Sequence, residues 1–282
     1  MQKNINYIKQ KLSGLYPDRE VESFVVWILG HVLGYDKTRI LLNNDKILPK
    51  DVSSRISSIV DRLTKYEPIQ YITGDTEFVG LNLNVKPGVL VPRPETEELV
   101  SRISNKVAAN SAKILDIGTG SGCIALGLKK YMPGTKVFGC DISQVAIELA
   151  NENAKLNNLD VHFFYYDILS QNGTLPAKKF DMIVSNPPYV LESEKVQMEA
   201  NVLKYEPHGA LFVPDDDPLI FYQKISDFAQ LHLANNGEIW LEINENKGAE
   251  VKGLLENNFF HDVVVLKDIF GKQRFVYGKF RE

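Results

Sequence analysis

The sequence predicts an α/β protein in which a small helical domain and a β-hairpin precede a mostly parallel sheet covered by helices. Apolar residues recur at helical spacing through the first seventy positions, and the segment Glu77–Val85 then alternates between apolar and polar residues. From Lys113 onward, short apolar segments alternate with amphipathic segments of helical length. This last pattern is typical of parallel strands joined by crossover helices.

Residues 1–67 are predicted to form the helical domain. Apolar residues at positions 5, 8, 12 and 15 indicate a first helix. Asp18 is predicted to cap a second helix, whose apolar positions follow a 3.6-residue period as far as Leu33. A third helix is expected to open at Pro49 and to stop at Pro68, because proline fits the first turn of a helix but not its interior.

Residues 68–92 are predicted to form a β-hairpin linker, and residues 93–282 the second domain. The alternating segment supplies the hairpin, and Pro87-Gly88 indicates a turn after it. The second domain is predicted to contain seven strands, the last two of which pair as a hairpin because no helix separates them. These strands are Lys113–Asp116, Lys136–Asp141, Val161–Tyr165, Phe180–Ser185, Glu238–Ile243, His261–Leu266 and Arg274–Lys279. The predicted helices are Cys123–Lys130, Gln144–Leu156, Pro218–Leu233 and Lys247–Asn257.

Composition narrows the function classes. No apolar run approaches the roughly 18 residues that cross a bilayer, and the amino terminus has no targeting pattern, so we expect a cytoplasmic protein. Cys123 and Cys140 lack metal-ligand spacing, so we expect reduced core cysteines and no metal site. The net charge of −4 disfavours a protein that holds duplex DNA mainly through its phosphates. Residues 1–70 carry 11 basic and 8 acidic side chains, which favours a protein partner or one that travels with RNA.

A glycine loop follows the first strand of the second domain. It comprises Gly118, Thr119, Gly120, Ser121 and Gly122, and a helix begins directly after it. Glycines allow a sharp turn and the close approach of a ligand. The spacing G-x-G-x-G favours S-adenosylmethionine, whereas a dinucleotide requires G-x-G-x-x-G to place a pyrophosphate at the helix terminus. A tight structural turn is the third interpretation.

Acidic residues after the next two strands complete the predicted cofactor site. Asp141 ends the second strand, where a carboxylate can accept hydrogen bonds from both ribose hydroxyls. Asp167 follows the third strand and can accept from the adenine amine, with Ile168 covering the ring. The alternative for Asp167 is that it only caps the next turn.

The fourth strand ends in Asn186, Pro187, Pro188 and Tyr189. Two prolines make this turn rigid and remove two backbone donors, so it presents acceptors. The Asn186 side-chain oxygen and the Pro187 carbonyl can each accept one N–H of a substrate –NH₂ group, and Tyr189 can stack on its flat face. Such a clamp holds a planar amide or amine nitrogen so that its lone pair faces a methyl donor.

These motifs together resemble the protein-(glutamine-N(5)) methyltransferases that modify peptide-chain release factors. The stretches Pro68–Gly74 and Val91–Glu97 resemble that family specifically, and the resemblance covers essentially the whole chain. It implies a Rossmann-like seven-stranded S-adenosylmethionine-dependent methyltransferase domain behind a helical substrate-recognition domain. It also implies a substrate, the glutamine in the Gly-Gly-Gln loop of class 1 release factors. By the same resemblance the glycine loop, Asp141 and Asn186 are expected to contact the cofactor, and Asn186 to Tyr189 are expected to clamp the substrate. The helix dipole accounts for the glutamates that follow Arg93 but not for Arg93 itself, which we expect near the site opening, where it shapes the peptide pocket. The family often has tryptophan where this chain has Ile168.

Three other functions remain open from the sequence. A nucleic-acid adenine-N(6) methyltransferase also uses Asn-Pro-Pro-Tyr, but it normally carries a basic target-recognition region, whereas residues 190–217 are acidic. A non-catalytic release-factor binder would not need Asp141 and Asn186. A nicotinamide-dependent oxidoreductase would fit the other interpretation of the glycine loop. His208 follows the Asn-Pro-Pro-Tyr turn and is assigned either to the pocket or to loop packing.

Overall fold

The computed structural model describes residues 1–106 and 112–281. Contacts divide these residues into two compact units. The first contains Met1–Gly74 together with Glu199–Tyr205, and the second contains Asp75–Met198 and the described residues from Glu206 onward. The predicted helical domain therefore lies within the first unit, and the predicted linker of residues 68–92 is divided between the two.

The first unit is helical, and helices and strands alternate along most of the second unit. The helices are α1 Gln2–Leu12, α2 Asp18–Leu33, α3 Lys37–Leu42, α4 Lys50–Leu63, α5 Ile69–Thr73, α6 Pro94–Lys106, α7 Cys123–Tyr131, α8 Gln144–Leu156, α9 Ala200–Tyr205, α10 Ile220–His232 and α11 Gly248–Asn257. The strands are β1 Asp75–Phe78, β2 Leu81–Asn84, β3 Lys113–Ile117, β4 Lys136–Asp141, β5 Val161–Asp167, β6 Asn172–Gly173, β7 Phe180–Ser185, β8 Val190–Leu191, β9 Phe212–Val213, β10 Leu233–Glu242, β11 Phe260–Lys267 and β12 Gln273–Phe280. None of the helices in the described ranges is long and apolar enough to cross a membrane.

The first unit buries the apolar faces of α1, α2 and α4 against one another. Ile8, Ile28, Ile56 and Leu63 are among its fully buried side chains. The helical periodicity of the sequence predicted these three helices, but not the short helices α3 and α5, whose apolar stretches are too brief to show a period.

Two predicted details of this unit are wrong. Asp18 does not cap α2: Pro17 occupies the cap position, and Asp18 is the first helical residue, where the helix dipole favours an acidic side chain. Helix α4 ends at Leu63, five residues before Pro68. The chain leaves the helical path at Tyr66, whose φ of 64° lies in the left-handed region, so the proline is not what stops the helix.

The predicted hairpin is formed by β1 and β2. The strands pair antiparallel from Asp75↔Asn84 to Phe78↔Leu81. Val79 and Gly80 have φ values of 44° and 69°, the left-handed pair of a tight two-residue turn. The hairpin buries Phe78 and Leu83 in the core of the second unit.

The main sheet has the strand order β11-β12-β10-β7-β3-β4-β5-β6. The seven predicted strands are all present, and within the described residues the two-residue β6 is added at one edge. Strand β12 runs antiparallel to both β10 and β11, so the predicted terminal hairpin is confirmed. Strand β3 lies between β4 and β7, and the chain reverses its direction of progress across the sheet there. This switch point opens a crevice at the carboxyl ends of the strands.

Helices cover both faces of this sheet. Side chains alternate along each strand, so Ile114 and Val184 face one core, which includes Leu126 and Ala150 from α7 and α8. Leu115 and Ile183 face the other core, which includes Tyr222 from α10 and Val251 from α11. The two cores fix the relative positions of the strand ends at the crevice.

Gly139 allows the glycine loop to lie close to the sheet. A Cβ added there would lie 2.6 Å from carbons of the Phe163 ring and 2.7 Å from Thr119 Oγ1. We expect Gly139→Ala to lower the free energy of unfolding by about 1–3 kcal/mol, because a buried ring and the loop must shift. Chemical denaturation of the purified protein measures this change.

Gly253→Ala in α11 is the matched control. No atom outside its own helix backbone lies within 4 Å of the added Cβ. We therefore expect the free energy of unfolding to rise by about 0.5–1 kcal/mol, because alanine has a higher helix propensity than glycine. Equal effects of the two substitutions would contradict the steric argument at Gly139.

Candidate active site

A cavity of about 690 Å³ lies at the carboxyl ends of the central strands of the second unit. Its walls are mostly apolar, with a few polar groups from the loops that follow β3, β4, β5 and β7. The predicted site residues that line it are Arg93, Gly118, Thr119, Gly120, Ser121, Asp141, Asp167, Ile168, Asn186, Pro187 and Pro188. Gly122 and Tyr189 are not among the described lining residues.

The glycine loop is held by the neighbouring strand. The backbone N–H groups of Gly118 and Thr119 both donate to the carbonyl of Cys140, each at 2.9 Å. Gly118 and Gly120 have φ values of 72° and 56°, which glycine adopts without strain. Gly122 serves packing instead: a Cβ there would approach Ala150 within 3.1 Å. Gly118 and Gly120 therefore border the cavity, whereas Gly122 allows the loop to pack closely against α8.

Asp141 joins the second strand to this loop. Its Oδ2 accepts a hydrogen bond from the Gly120 N–H at 2.9 Å, and its Oδ1 accepts one from the Ser143 N–H at 2.8 Å. Burial raises the pKa of the Asp141 carboxyl above its ordinary value, against the effect of these backbone donors. The carboxylate thus lines the cavity in a fixed orientation.

Asp167 takes the capping position that the sequence left as an alternative. Its carboxylate accepts hydrogen bonds from the Leu169 N–H at 2.9 Å and from Ser170 Oγ at 2.5 Å. The hydrogen bond from Ser170 holds the pKa of Asp167 below its ordinary value. Asp167 also lines the cavity beside Ile168, so capping does not remove it from the ligand site.

The Asn-Pro-Pro-Tyr turn follows β7, the strand next to β3. Because Pro187 and Pro188 have no N–H, the first backbone donor after Asn186 belongs to Tyr189, and it donates to the Leu211 carbonyl at 3.2 Å. Strand β8 then pairs with β9 and anchors the far side of the turn. The turn is therefore rigid by covalent structure and by pairing.

Tyr189 does not line the cavity, whereas the sequence predicted that its ring would stack on the substrate. Its ring packs against the core formed with α10 and α11, and its hydroxyl donates to Glu242 Oε1 at 3.1 Å. Burial, together with the negative charge of Glu242, raises the pKa of the Tyr189 hydroxyl well above its ordinary value. The hydroxyl therefore stays protonated and acts as a donor.

Two buried residues that sequence reasoning missed connect to this turn. Thr96 Oγ1 lies 3.1 Å from Asn186 Nδ2 and donates to Glu242 Oε2 at 2.8 Å. Burial raises the pKa of the Glu242 carboxyl to about 7. Two signals in the sequence could have found them: Thr96 lies among the glutamates of Pro92–Glu97, and Glu242 is the next-to-last residue of the predicted strand Glu238–Ile243.

Arg93 lines the cavity as an ion-paired residue. Its Nη2 lies 2.7 Å from Glu206 Oε1, and the Glu206 carboxylate is 1% exposed. Glu206 also accepts a long hydrogen bond, 3.4 Å, from the Val91 N–H. Among the described residues that line the cavity, Arg93 is the one with a permanent positive charge, and Glu206 neutralises it. The cavity is therefore poorly suited to a pyrophosphate.

His208 does not line the cavity within the described residues, although its neighbour Gly209 does. Its ring lies edge-on to Phe212, with a centroid separation of 5.2 Å. Of the two cysteines, Cys140 is buried and Cys123 is partly exposed at the cavity wall, and both are free thiols.

Comparison with known proteins decides the family. A profile described as PrmC N-terminal domain matches residues 5–74, and one described as Methyltransferase small domain matches residues 94–205. A release factor glutamine methyltransferase of Bacteroides thetaiotaomicron is 46% identical over 95% of this chain and 96% of its own length. The chain belongs to the release factor glutamine methyltransferase family. A further relative of the same name, from Flavobacterium psychrophilum, is 42% identical over 96% of both chains.

Solved structures share the fold of this methyltransferase at low sequence identity. A methyltransferase from Pyrococcus furiosus matches with a TM-score of 0.52 and 21% identity, over 72% of this chain and 90% of that one. The 16S rRNA N2 G1207 methyltransferase of T. thermophilus, solved with AdoMet and guanosine, matches with a TM-score of 0.54 and 20% identity. This match covers 73% of this chain and 50% of that one. The predicted Rossmann-like α/β fold and the predicted family are therefore confirmed, and the adenine-N(6) alternative is not favoured.

Asp116 lies beneath the glycine loop of this methyltransferase and accepts a hydrogen bond from Thr119 Oγ1 at 2.6 Å. Burial raises the pKa of the Asp116 carboxyl from 3.8 to about 7. Between these values the folded state keeps a proton that the unfolded state has lost, so this group lowers stability as pH rises through that window. We expect Asp116→Asn, which cannot ionise, to become more stable relative to wild type as pH is raised from 4 to 7.

Thermal denaturation at a series of pH values measures this difference. We expect the melting temperature of the variant minus that of the wild type to increase as the pH is raised. Parallel melting curves across the range would contradict a raised pKa at Asp116.

Proposed function

We propose that this protein methylates the side-chain amide nitrogen of the glutamine in the Gly-Gly-Gln loop of class 1 peptide-chain release factors, with S-adenosylmethionine as the methyl donor. The observation that carries the proposal is the position of Asn186 and Pro187 in the wall of the cavity that the glycine loop and Asp141 also line. The names of relatives that match nearly the whole chain support the substrate.

The residues of the cavity fit S-adenosylmethionine. A Cβ added at Gly118 would meet no protein atom within 4 Å, so the space beside this glycine is open to a ligand. Asp141 offers a carboxylate to ribose hydroxyls, Ile168 offers an apolar surface to adenine, and Asp167 lies beside it for the adenine amine. The cavity has no free positive charge among its described lining residues, which suits a nucleoside without phosphates. When bound, S-adenosylmethionine supplies an electrophilic methyl group on a sulfonium.

The chain's own contribution to the reaction is to hold an amide nitrogen. The lone pair of a glutamine amide is delocalised, so this nitrogen is a weak nucleophile. The Asn186 side-chain oxygen and the Pro187 carbonyl would each accept one of its N–H bonds, in the geometry of a pyramidal nitrogen with its lone pair directed at the methyl group. In the proposed reaction, the nitrogen would form its bond to the methyl carbon as the bond between that carbon and the sulfonium sulfur breaks. S-adenosylhomocysteine would be left behind, and the methylated nitrogen would then release one proton to water. Correct positioning of this kind is worth roughly 7–11 kcal/mol in favourable cases.

We assign the four residues of the turn different roles. Asn186 and Pro187 contact the reacting amide, and Pro188 shapes the wall beside it. Tyr189 acts as a positioning residue through its hydroxyl and not as a stacking platform, because its partly buried ring packs against the core and does not line the cavity. Arg93, neutralised by Glu206, forms the wall through which a peptide loop would approach.

The same proposal covers the partners and the place of reaction. We assign substrate recognition to the helical domain of residues 1–67, whose slight excess of positive charge contrasts with the remainder of the chain. The segment of residues 190–217 after the clamp is acidic, so we expect no direct binding to DNA. Release factors act on ribosomes, and the reaction is accordingly assigned to the cytoplasm.

Methyl transfer from labelled S-adenosylmethionine to a purified, unmethylated class 1 release factor tests the proposal. We expect label on the wild-type factor and none on its loop Gln→Ala variant or on unmethylated DNA. Asn186→Ala should lower kcat by about 100-fold or more, since it removes an acceptor that acts on the transition state. Binding of S-adenosylhomocysteine should persist in this variant, because Asp141 and the glycine loop are unchanged.

Asn105→Ala is the matched control, because Asn105 is an exposed helical residue outside the cavity. We expect its kcat to equal that of the wild-type enzyme. Label on DNA instead of the release factor would contradict the proposal and favour an adenine-N(6) methyltransferase.

A further inference from the structure

We propose that Thr96 and Glu242 form a hydrogen-bond relay that fixes the side-chain amide of Asn186 with its nitrogen toward Thr96 and its oxygen toward the substrate. This inference deepens the proposed function and rests on it. The relay runs from the Asn186 amide through the Thr96 hydroxyl to the Glu242 carboxylate. It assigns to both residues a positioning role.

Donor counting gives the direction of the relay. An ionised carboxylate only accepts, so the single proton of the Thr96 hydroxyl must point to Glu242 Oε2, 2.8 Å away. The Thr96 oxygen can then only accept from its other neighbour, which lies 3.1 Å away on Asn186. The atom of Asn186 that faces Thr96 is therefore the amide nitrogen, and the carbonyl oxygen is left to accept an N–H of the substrate.

Without the relay, the amide of Asn186 could turn by 180° at little energetic cost. The turned amide would present N–H groups to the N–H groups of the glutamine, and the clamp would repel its substrate. An asparagine in this position needs a directional partner to act as an acceptor. Thr96 acts as an acceptor toward Asn186 only because its own proton is donated to the Glu242 carboxylate.

Glu242 also holds the other end of the turn. Its Oε1 accepts the Tyr189 hydroxyl at 3.1 Å, and Asn244 Nδ2 donates to the Tyr189 carbonyl at 3.3 Å. Thr96 and Glu242 are 2% and 1% exposed, so water cannot replace a lost partner. One carboxylate thus orients the first and last residues of the Asn-Pro-Pro-Tyr turn.

The sheet register brings these groups together. Strand β10 pairs in parallel with β7, with Leu241 opposite Ser185, so Glu242 and Asn186 are the next residues on adjacent strands. Thr96 lies in the first turn of α6, from which its hydroxyl contacts both Glu242 and Asn186. The relay therefore depends on elements that belong to the body of the fold and not on a mobile loop.

Ionisation of Glu242 controls the relay. Burial favours its neutral form, and a protonated Glu242 could donate to Thr96 and release the hydroxyl proton toward Asn186, which reverses the direction. Nearby charged and titratable groups come from every element packed around it. They are Glu95 on α6, Cys123 on α7, Tyr189 on the turn, Tyr222 on α10 and Arg274 on β12. Of these groups Arg274 favours the ionised form, and Glu95 opposes it.

Substitutions at Thr96 test the relay in the release-factor methylation assay. We expect Thr96→Val to lower kcat by about 10- to 100-fold, the factor expected for a lost buried hydrogen bond that acts on the reacting group. The Kd for S-adenosylhomocysteine should stay within about twofold of the wild-type value, because the glycine loop, Asp141 and Asp167, which we assign to the cofactor, are unchanged. Thr96→Ser keeps the hydroxyl and should restore kcat to within about threefold.

Thr135→Val is the matched control. Thr135 is also a buried threonine, and its hydroxyl donates to the Met132 carbonyl at 2.7 Å. It directly precedes β4, at the amino-terminal ends of the parallel strands and therefore away from the cavity. We expect Thr135→Val to change the melting temperature without changing kcat. Wild-type kcat in Thr96→Val, or no rescue by Thr96→Ser, would overturn the relay.

Glu242→Gln provides a second test that does not depend on Thr96. We expect kcat of the wild-type enzyme to rise about tenfold from pH 6 to pH 8 as Glu242 ionises, and kcat of the variant to be flat over this range. An unchanged pH profile in Glu242→Gln would overturn the relay. Failure of the wild-type enzyme to label any release factor would overturn the proposed function instead, so the two failures are distinguishable.

Discussion

The parallel pairing of β3 with β7 is the constraint on which the site depends. Ile117 lies opposite Ser185, so the glycine loop and the Asn-Pro-Pro-Tyr turn leave the sheet at the same level on adjacent strands. Ser185 Oγ donates to the Ile117 carbonyl at 2.7 Å and joins the two strand ends directly. In the proposed reaction, the methyl group and the substrate nitrogen would therefore meet between the ends of two adjacent strands. A shift of one residue in this register would reverse the facing of every side chain along β7 and separate the two halves of the site.

A second layer of buried polar groups supports this arrangement. Asp116 lies beneath the glycine loop, and Glu242 lies beneath the clamp. Both carboxyls have pKa values of about 7 because of burial, and each takes a hydroxyl hydrogen bond from a threonine. Buried carboxyls are costly to fold, and they persist where a fixed hydrogen-bond direction is needed. Burial of these two carboxyls thus lowers the stability of the domain at the places that we propose to orient the two ligands.

Much of the fold was predictable because its signals are local. The strands of the sheet follow from apolar segments between turns, and α8 has the predicted bounds, Gln144–Leu156, since its helical period is uninterrupted. The helices α3, α5 and α9 were not predicted, because six or fewer residues cannot show a period. The end of α4 was misplaced because a left-handed residue, Tyr66, has no sequence signature.

The ligand-facing residues were more predictable than the residues that hold them. Glycine spacing and the Asn-Pro-Pro-Tyr motif mark the cavity wall by composition alone. The partners Thr96, Glu206 and Glu242 come from distant parts of the chain, and single threonines and glutamates look the same whether they are buried or exposed. Tyr189 differs in the opposite way, since an aromatic residue in a motif was expected at the ligand, yet its ring packs against the core and does not line the cavity.

The pair of prolines has a consequence for a damaged substrate. Spontaneous deamidation converts a glutamine into a glutamate of almost the same shape, which carries a negative charge and no N–H. Pro187 and Pro188 offer no backbone donor, and the amide nitrogen of Asn186 is turned toward Thr96. In the proposed clamp, this carboxylate would face the oxygen acceptors of Asn186 and Pro187, and it would lose hydration without a compensating donor from the turn. A clamp of this kind would therefore exclude the deamidated residue by charge, where size alone could not distinguish the two.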